Sequence, residues 1–143
     1  MSNLKYRFAA QQDIKLLAEM NRQLIFDEKH RNKMTLGELE KRMLKFLSTE
    51  YTAVIVSSHQ NDIGYALYRP EPDWIYLRQL YVKKEMRRRG IGRALVEWLK
   101  NNAWKEAERV RVEVLVGNSE GILFWKALGF DEYSVTMEME VKQ

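Results

Sequence analysis

The apolar pattern between Trp74 and Val116 changes period twice, and nothing else in the chain constrains the fold as much. Trp74 to Val82 alternates in steps of two, and Gly90 to Trp104 gathers Ile91, Ala94, Leu95, Trp98 and Leu99 into one helical stripe. Val110, Val112, Val114 and Val116 then alternate with Arg111 and Glu113. Side chains repeat every two residues on a strand and every 3.6 on a helix, so the order is strand, helix, strand. Such a unit needs a crossover connection and belongs to α/β architecture.

The rest of the chain adds hairpins and helices around that unit. Leu4 to Ala9 reads as a strand and Gln11 to Glu28 as a helix with Ile14, Leu17, Leu24 and Ile25 near one face. A second helix begins at Thr35, where Thr35-Leu36-Gly37-Glu38 has capping-box spacing, and its apolar residues are Leu36, Leu39, Met43, Phe46 and Leu47. Tyr51–Val56 and Ile63–Tyr68 read as strands joined by the polar turn Ser57 to Asp62, and Pro70 and Pro72 separate them from the strand at Trp74. Ser119–Leu128 is a short helix stopped by Gly129, and Val135–Val141 alternates as a last strand. The expected order is β-α-α-β-β-β-α-β-α-β, an α/β domain with a mixed sheet. With 143 residues, the chain is expected to form one domain over 1–143.

Composition removes several chemistries. There is no cysteine, which excludes disulfides, thiolate metal sites and a cysteine nucleophile. The two histidines, His30 and His59, are far apart in sequence, so no metal site is expected. No apolar stretch is long enough for a membrane span, and Met1 to Tyr6 lacks the basic-then-apolar pattern of a signal, so a cytoplasmic protein is expected.

The net charge is +4, and its source is local: Lys83, Lys84, Arg87, Arg88, Arg89 and Arg93 stand against one acid, Glu85. Cations at a helix start oppose the macrodipole. Arginines crowded where they are locally unfavourable imply an anionic ligand. The first turn of a helix offers unpartnered N–H groups, and glycines let that backbone approach phosphate oxygens. No G-x-x-x-x-G-K-[ST] string exists, and the third glycine of G-x-G-x-x-G is replaced by Leu95. What matches is Q/R-x-x-G-x-G/A, as Arg87-Arg88-Arg89-Gly90-Ile91-Gly92. This string resembles the acyl-CoA pyrophosphate loop of the GNAT acetyltransferase superfamily. The likeness extends over essentially the whole chain, including Asn118-Ser119-Glu120-Gly121-Ile122-Leu123-Phe124-Trp125-Lys126-Ala127-Leu128-Gly129-Phe130.

The resemblance implies a GNAT-like fold and an N-acetyltransferase that moves an acetyl group from acetyl-CoA to a primary amine in a ternary complex. It assigns the cofactor to Leu80, Tyr81, Val82, Arg87, Arg88, Arg89, Gly90, Ile91, Gly92, Arg93, Asn118 and Trp125. It assigns an oxyanion donor to the backbone N–H of Tyr81 or Val82. Trp125 stands where many relatives have a tyrosine that protonates the thiolate, a task an indole cannot perform. Gly121 stands where alanine is usual and is expected only to loosen its helix.

A lysine-like amine with a pKa of about 10.4 is neutral at pH 7 in less than roughly a thousandth of molecules, so a base or a positioned water is useful. Glu71, Asp73, Gln79, Tyr76 and Glu113 are the candidates. The acceptor pocket is expected at the connection of the first two helices, with Asp27, Glu28 and His30. Acids at 27, 28, 71 and 73 favour an acceptor with net positive charge. A homodimer is left open. Two other classes compete: a non-catalytic acyl-CoA sensor of the same fold, and a nucleic-acid-binding protein. The basic residues are confined to one turn, so nucleic acid is not the expected partner.

Overall fold

The computed structural model describes residues 3–142. The chain forms two compact units, Met1–Glu113 and Val114–Gln143. The first contains β1 (Leu4–Phe8), α1 (Ile14–Asp27), α2 (Leu36–Ser48), β2 (Thr52–Ser58), β3 (Asn61–Pro70), β4 (Trp74–Val82), α3 (Ile91–Asn102) and β5 (Arg109–Arg111); the second contains α4 (Ser119–Ala127). The strands make one sheet in the order β1-β2-β3-β4-β5. Its first three pairings are antiparallel and the last, β4 with β5, is parallel. This is the mixed sheet that the changes of period predict. No helix among the described residues is long and apolar enough to cross a membrane.

Each face of the sheet buries a helical stripe. Leu17, Met20 and Leu24 of α1 and Met43 of α2 pack on Tyr51, Ala53, Ile55, Tyr65, Leu67 and Tyr81. Toward α3, Trp98 stacks on Tyr6 with ring centroids 5.0 Å apart, and Trp104 meets Tyr68 edge-on at 5.4 Å. Fully burying one such apolar side chain is worth about 1.5–3 kcal/mol.

The helix ends are closed as their residue types dictate. At α2 the Glu38 N–H donates to Thr35 Oγ1 (3.2 Å), and the Thr35 N–H donates to Glu38 Oε1 (2.8 Å), completing the expected capping box. α1 ends in a Schellman motif: Lys29 takes a φ of 54°, its N–H donates to the Phe26 carbonyl, and the His30 N–H donates to that of Ile25.

Four strands differ from the sequence reading. β2 and β3 run further than the alternation suggests, and the broad polar turn tightens to His59–Gln60, with φ of 51° and 69°. β5 stops at Arg111, and residues 131–142 contain no strand. Alternation sets which faces a strand would present; the strand itself exists through its ladder, and β5 finds one only opposite Trp74–Tyr76.

A two-residue hairpin turn with positive φ at both positions favours Asn-Gly, not His-Gln. Gln60→Gly therefore relieves strain and should stabilise the fold by about 0.5–1 kcal/mol, net of the entropy glycine adds to the unfolded chain. Urea unfolding measures it; an unchanged or lower midpoint contradicts the strain.

Candidate functional site

The site is built on the edge that β4 leaves open. β4 pairs with β3 from Ile75 to Val82, yet it meets β5 only at Trp74–Tyr76. From Leu77 onward its other edge has no strand partner among the described residues. Which backbone groups face that edge follows from one bond and the antiparallel alternation. The Lys83 N–H donates to the Ile63 carbonyl at 2.8 Å, so in this register Lys83 and Tyr81 turn their polar groups toward β3. Those of Leu80 and Val82 turn outward. The Val82 carbonyl accepts from Arg87 Nε at 2.8 Å, as an outward group must. The Tyr81 amide, named first as an oxyanion donor, is thus spent on the ladder, and the outward amides are those of Leu80 and Val82.

Gly64 lets β3 approach β4 closely at this point. A Cβ there would overlap the Tyr81 carbonyl oxygen and sit 3.2 Å from Val82 Cα. A bulge interrupts the same pairing further down: Leu67 pairs with Gln79 and Tyr68 with Leu77, so Arg78 has no partner residue.

After β4 the chain passes a single 3-10 turn, Lys84–Met86, and enters α3. Arg88 takes a φ of 63° and Gly90, the N-cap, a φ of 77°; no side chain caps the helix. A β-carbon at positive φ is unfavourable, and alternating left-handed residues turn successive N–H groups into one concavity. Uncapped first-turn amides, that concavity and the exposed Arg88 and Arg89 form an anion cradle whose donors fit phosphate oxygens. Ile91 and Gly92 are buried at the base of the cradle.

Arg87 plays another part. Its Nη2 donates to Asp27 Oδ2 (2.5 Å), and its guanidinium lies over the Tyr81 ring, 5.7 Å from the centroid. It ties the turn to the end of α1 and to the backbone of β4. Arg87 is therefore a brace and not a free anion ligand, and Asp27, expected in the acceptor pocket, is its counterion. A groove of about 410 Å3 runs beside this brace between Leu16, Glu19, Met20 and Gln23 of α1 and Tyr81, Lys83, Lys84 and Glu85.

Most of the expected acidic face is also engaged. Glu71 Oε1 accepts from Arg69 Nε at 2.6 Å. Asp73 is exposed, and its carbonyl accepts from the Glu108 N–H. Gln79 is buried and its Oε1 accepts from the Tyr65 hydroxyl at 2.7 Å, which makes it a core polar pair and no base. His30 Nδ1 accepts from the Asn32 N–H at 3.1 Å, a role within the α1–α2 turn. Tyr76 donates to Glu113 Oε1 at 2.5 Å; burial first, then this bond, pushes the phenol up to about 12. Loss of hydration and then the neighbouring Asp27 raise the Glu28 carboxyl above its ordinary range.

One group escaped sequence reasoning altogether. On the α1–α2 face of the sheet, Asn21, Arg42, Phe46, Tyr51, Arg69 and Arg78 gather through cation–π contacts and hydrogen bonds. The sequence signal for it is Arg78, a charged residue in the centre of β4.

In the second unit, Asn118 is the N-cap of α4, its Oδ1 accepting from the Gly121 N–H at 3.0 Å. Gly121 lies under the Asn118 side chain, so a Cβ there, 2.8 Å from the Asn118 Cγ, would make that cap shift. α4 closes in a second Schellman motif with Gly129 at φ 101°. Trp125 packs 5.1 Å from Phe130, the apolar contact that accompanies this motif, and 4.9 Å from Phe124.

The family model described as Acetyltransferase (GNAT) family matches residues 17–130. No curated protein sequence matches the chain. Among solved structures, a possible acetyltransferase from Clostridium difficile 630 is 20% identical, with 99% of each chain covered and a TM-score of 0.82. The aminoglycoside N-acetyltransferase AAC(6')-Iy in complex with CoA is 14% identical over 98% of this chain and 95% of its own, with a TM-score of 0.78. An acetyltransferase from Clostridium acetobutylicum, solved with acetyl-CoA, is 19% identical over 96% of both chains, at 0.77. These likenesses carry the fold.

The close approach at Gly64 gives a direct test. Gly64→Ala must push β3 from β4, and should cost about 1–3 kcal/mol, as overpacking does. Thermal unfolding that matches the parent protein would show that the strands do not pinch there.

Proposed function

The chain belongs to the GNAT acetyltransferase family, and from that premise we propose that it transfers an acetyl group from acetyl-CoA to a primary amine by direct attack in a ternary complex. One arrangement carries the reading: an unpaired β4 edge leads straight into an uncapped helix start. Leu80 offers an outward N–H and C=O, and Val82 an outward N–H, to the amide-bearing arm of the donor, in the manner of an added strand. The amides around Gly90, Ile91 and Gly92, with Arg88 and Arg89, would hold its pyrophosphate. Arg87 shapes the turn from behind.

The chemistry asks for two further groups. Negative charge develops on the thioester oxygen during attack, and an outward amide of Leu80 or Val82 is placed to receive it. The amine must shed a proton, and Glu28 is the fitting acceptor, directly or through water. Its raised carboxyl is a stronger base than an ordinary one. Glu71 is held by Arg69 and Gln79 is already bonded, which leaves them supporting roles. Of the four acids expected to favour a cationic acceptor, Asp27 and Glu71 are paired with arginine, which leaves Glu28 and Asp73. Some structural neighbours are aminoglycoside acetyltransferases, but at 14–18% identity the acceptor does not carry over.

Release of free thiol from acetyl-CoA across amino acids, peptides, polyamines and aminoglycosides tests the activity. Binding of acetyl-CoA without thiol release from any of them would make the chain a sensor. Gly92→Val should lower acetyl-CoA affinity tenfold or more in calorimetry, because a side chain at the buried base of the cradle blocks the phosphates. Unchanged affinity in a folded variant removes the assignment. For Glu28, kcat/KM should climb with pH through a carboxyl titration above the usual range, since only the ionised form accepts a proton. Glu28→Gln should cost about 100-fold and flatten that limb; a retained limb clears Glu28.

A further inference from the structure

The cluster on the α1–α2 face has a surplus of donors and positive charge that its own residues do not answer. The guanidinium carbons of Arg42, on α2, and of Arg78, at the β4 bulge, lie 5.3 and 4.9 Å from the centroid of the same Phe46 ring. Arg42 Nη2 donates to Oδ1 of the buried Asn21 at 3.0 Å, while its Nε is buried with no partner. Arg78 Nη1 donates to the Tyr51 hydroxyl oxygen at 3.3 Å, and Arg69 Nη1 donates to the same oxygen at 3.2 Å. That oxygen has two acceptor sites, and both are taken. Its own O–H proton has to go elsewhere.

Charge bookkeeping points the same way. Arg69 is answered by Glu71 at 2.6 Å and by Glu50 at 3.8 Å. Among the described residues no carboxylate pairs with Arg42 or Arg78. Two like charges therefore share one aromatic floor. Loss of hydration, then Arg78, lowers the Arg42 guanidinium from its ordinary value, as expected for a cation without its anion. A buried guanidinium N–H with no acceptor asks for an explanation, and a missing ligand oxygen supplies one.

Resting on the transferase reading above, we propose that the acceptor amine also carries a carboxylate, seated by Arg42, Arg78 and the Tyr51 hydroxyl. A carboxylate supplies acceptor oxygens in one plane and matches guanidinium forks. The spacing suits a small molecule. Arg78 precedes Leu80 by two residues, roughly 7 Å of strand, so a carboxylate held there leaves the amine of an amino acid or short peptide near the outward amides of β4. The sign is opposite to the one the acids of the sequence suggest; two of those four, Asp27 and Glu71, are paired with Arg87 and Arg69.

The test compares matched acceptors in the thiol-release assay: amino acids and dipeptides against their C-terminal amides, with polyamines as the cationic arm. Carboxylate-bearing acceptors should exceed their amides tenfold or more in kcat/KM. Arg78→Gln, at an exposed position, should raise KM for the carboxylates tenfold or more and erase the preference. Arg42→Lys, which keeps the charge and a donor for Asn21, should weaken it less. Equal or better turnover of amides or polyamines overturns the carboxylate site and leaves the transferase standing. No thiol release from any acceptor fails the transferase reading; calorimetry with an N-acetyl amino acid then decides the anion site alone. Saturable binding that Arg78→Gln abolishes supports it. No binding, or equally tight binding of inorganic phosphate, overturns it.

Discussion

The site exists because β4 pairs with β3 from Ile75 to Val82 on one side, while on the other, among the described residues, it has a strand partner for three residues. A strand whose polar groups are all matched is inert; one with an unmatched edge beside a helix start is a surface that hydrogen-bonds a chain-like ligand. Every neighbouring feature maintains that condition. The bulge at Arg78 turns the strand locally, Gly64 lets β3 hold it tightly from behind, and Arg87 takes up the Val82 carbonyl. The apolar contacts of α1 and α2 on Tyr65, Leu67 and Tyr81 hold the sheet against these helices.

Electrostatics divides the surface more finely than net charge suggests. The basic turn separates into Arg87, which is braced by Asp27, and Arg88 and Arg89, which face outward. Two of the four acids that sequence places near the incoming amine, Asp27 and Glu71, are spent on arginines. Of the other two, Glu28 is made more basic by partial loss of hydration. What a linear sequence displays as charge runs becomes, once folded, two braces, one cradle and one uncompensated arginine pair.

Much of this was legible because it is periodic or local. The βαβ crossover followed from apolar spacing, the Thr35–Glu38 capping box from a four-residue string, and the anion cradle from glycines and arginines at the entry to α3. Other features required distance in sequence to become contact. Arg42 and Arg78 are separated by a hairpin and meet only because α2 crosses the sheet above the bulge. The pairing of Asp27 with Arg87 spans 60 residues, and no local pattern announces it. The Val135–Val141 alternation was read as a strand because pattern reports a capacity for pairing, while the ladder itself depends on what lies alongside. Trp125, absorbed in the closing contact of α4, illustrates the converse: a departure from the family pattern at a chemical position answers a local packing need.

The tie between Asp27 and Arg87 has a consequence for how this chain tolerates change. One side chain serves the end of α1, the face of Tyr81 and the backbone of the turn, so positions 27 and 87 form a single heritable unit. Losing the acid alone leaves an arginine to rearrange beside the cradle; losing the arginine alone leaves a carboxylate facing an anion site. Residue 27, far from the motif and outside any signature, is thereby tied to the turn that carries the cradle, and a change there reaches the anion site through Arg87.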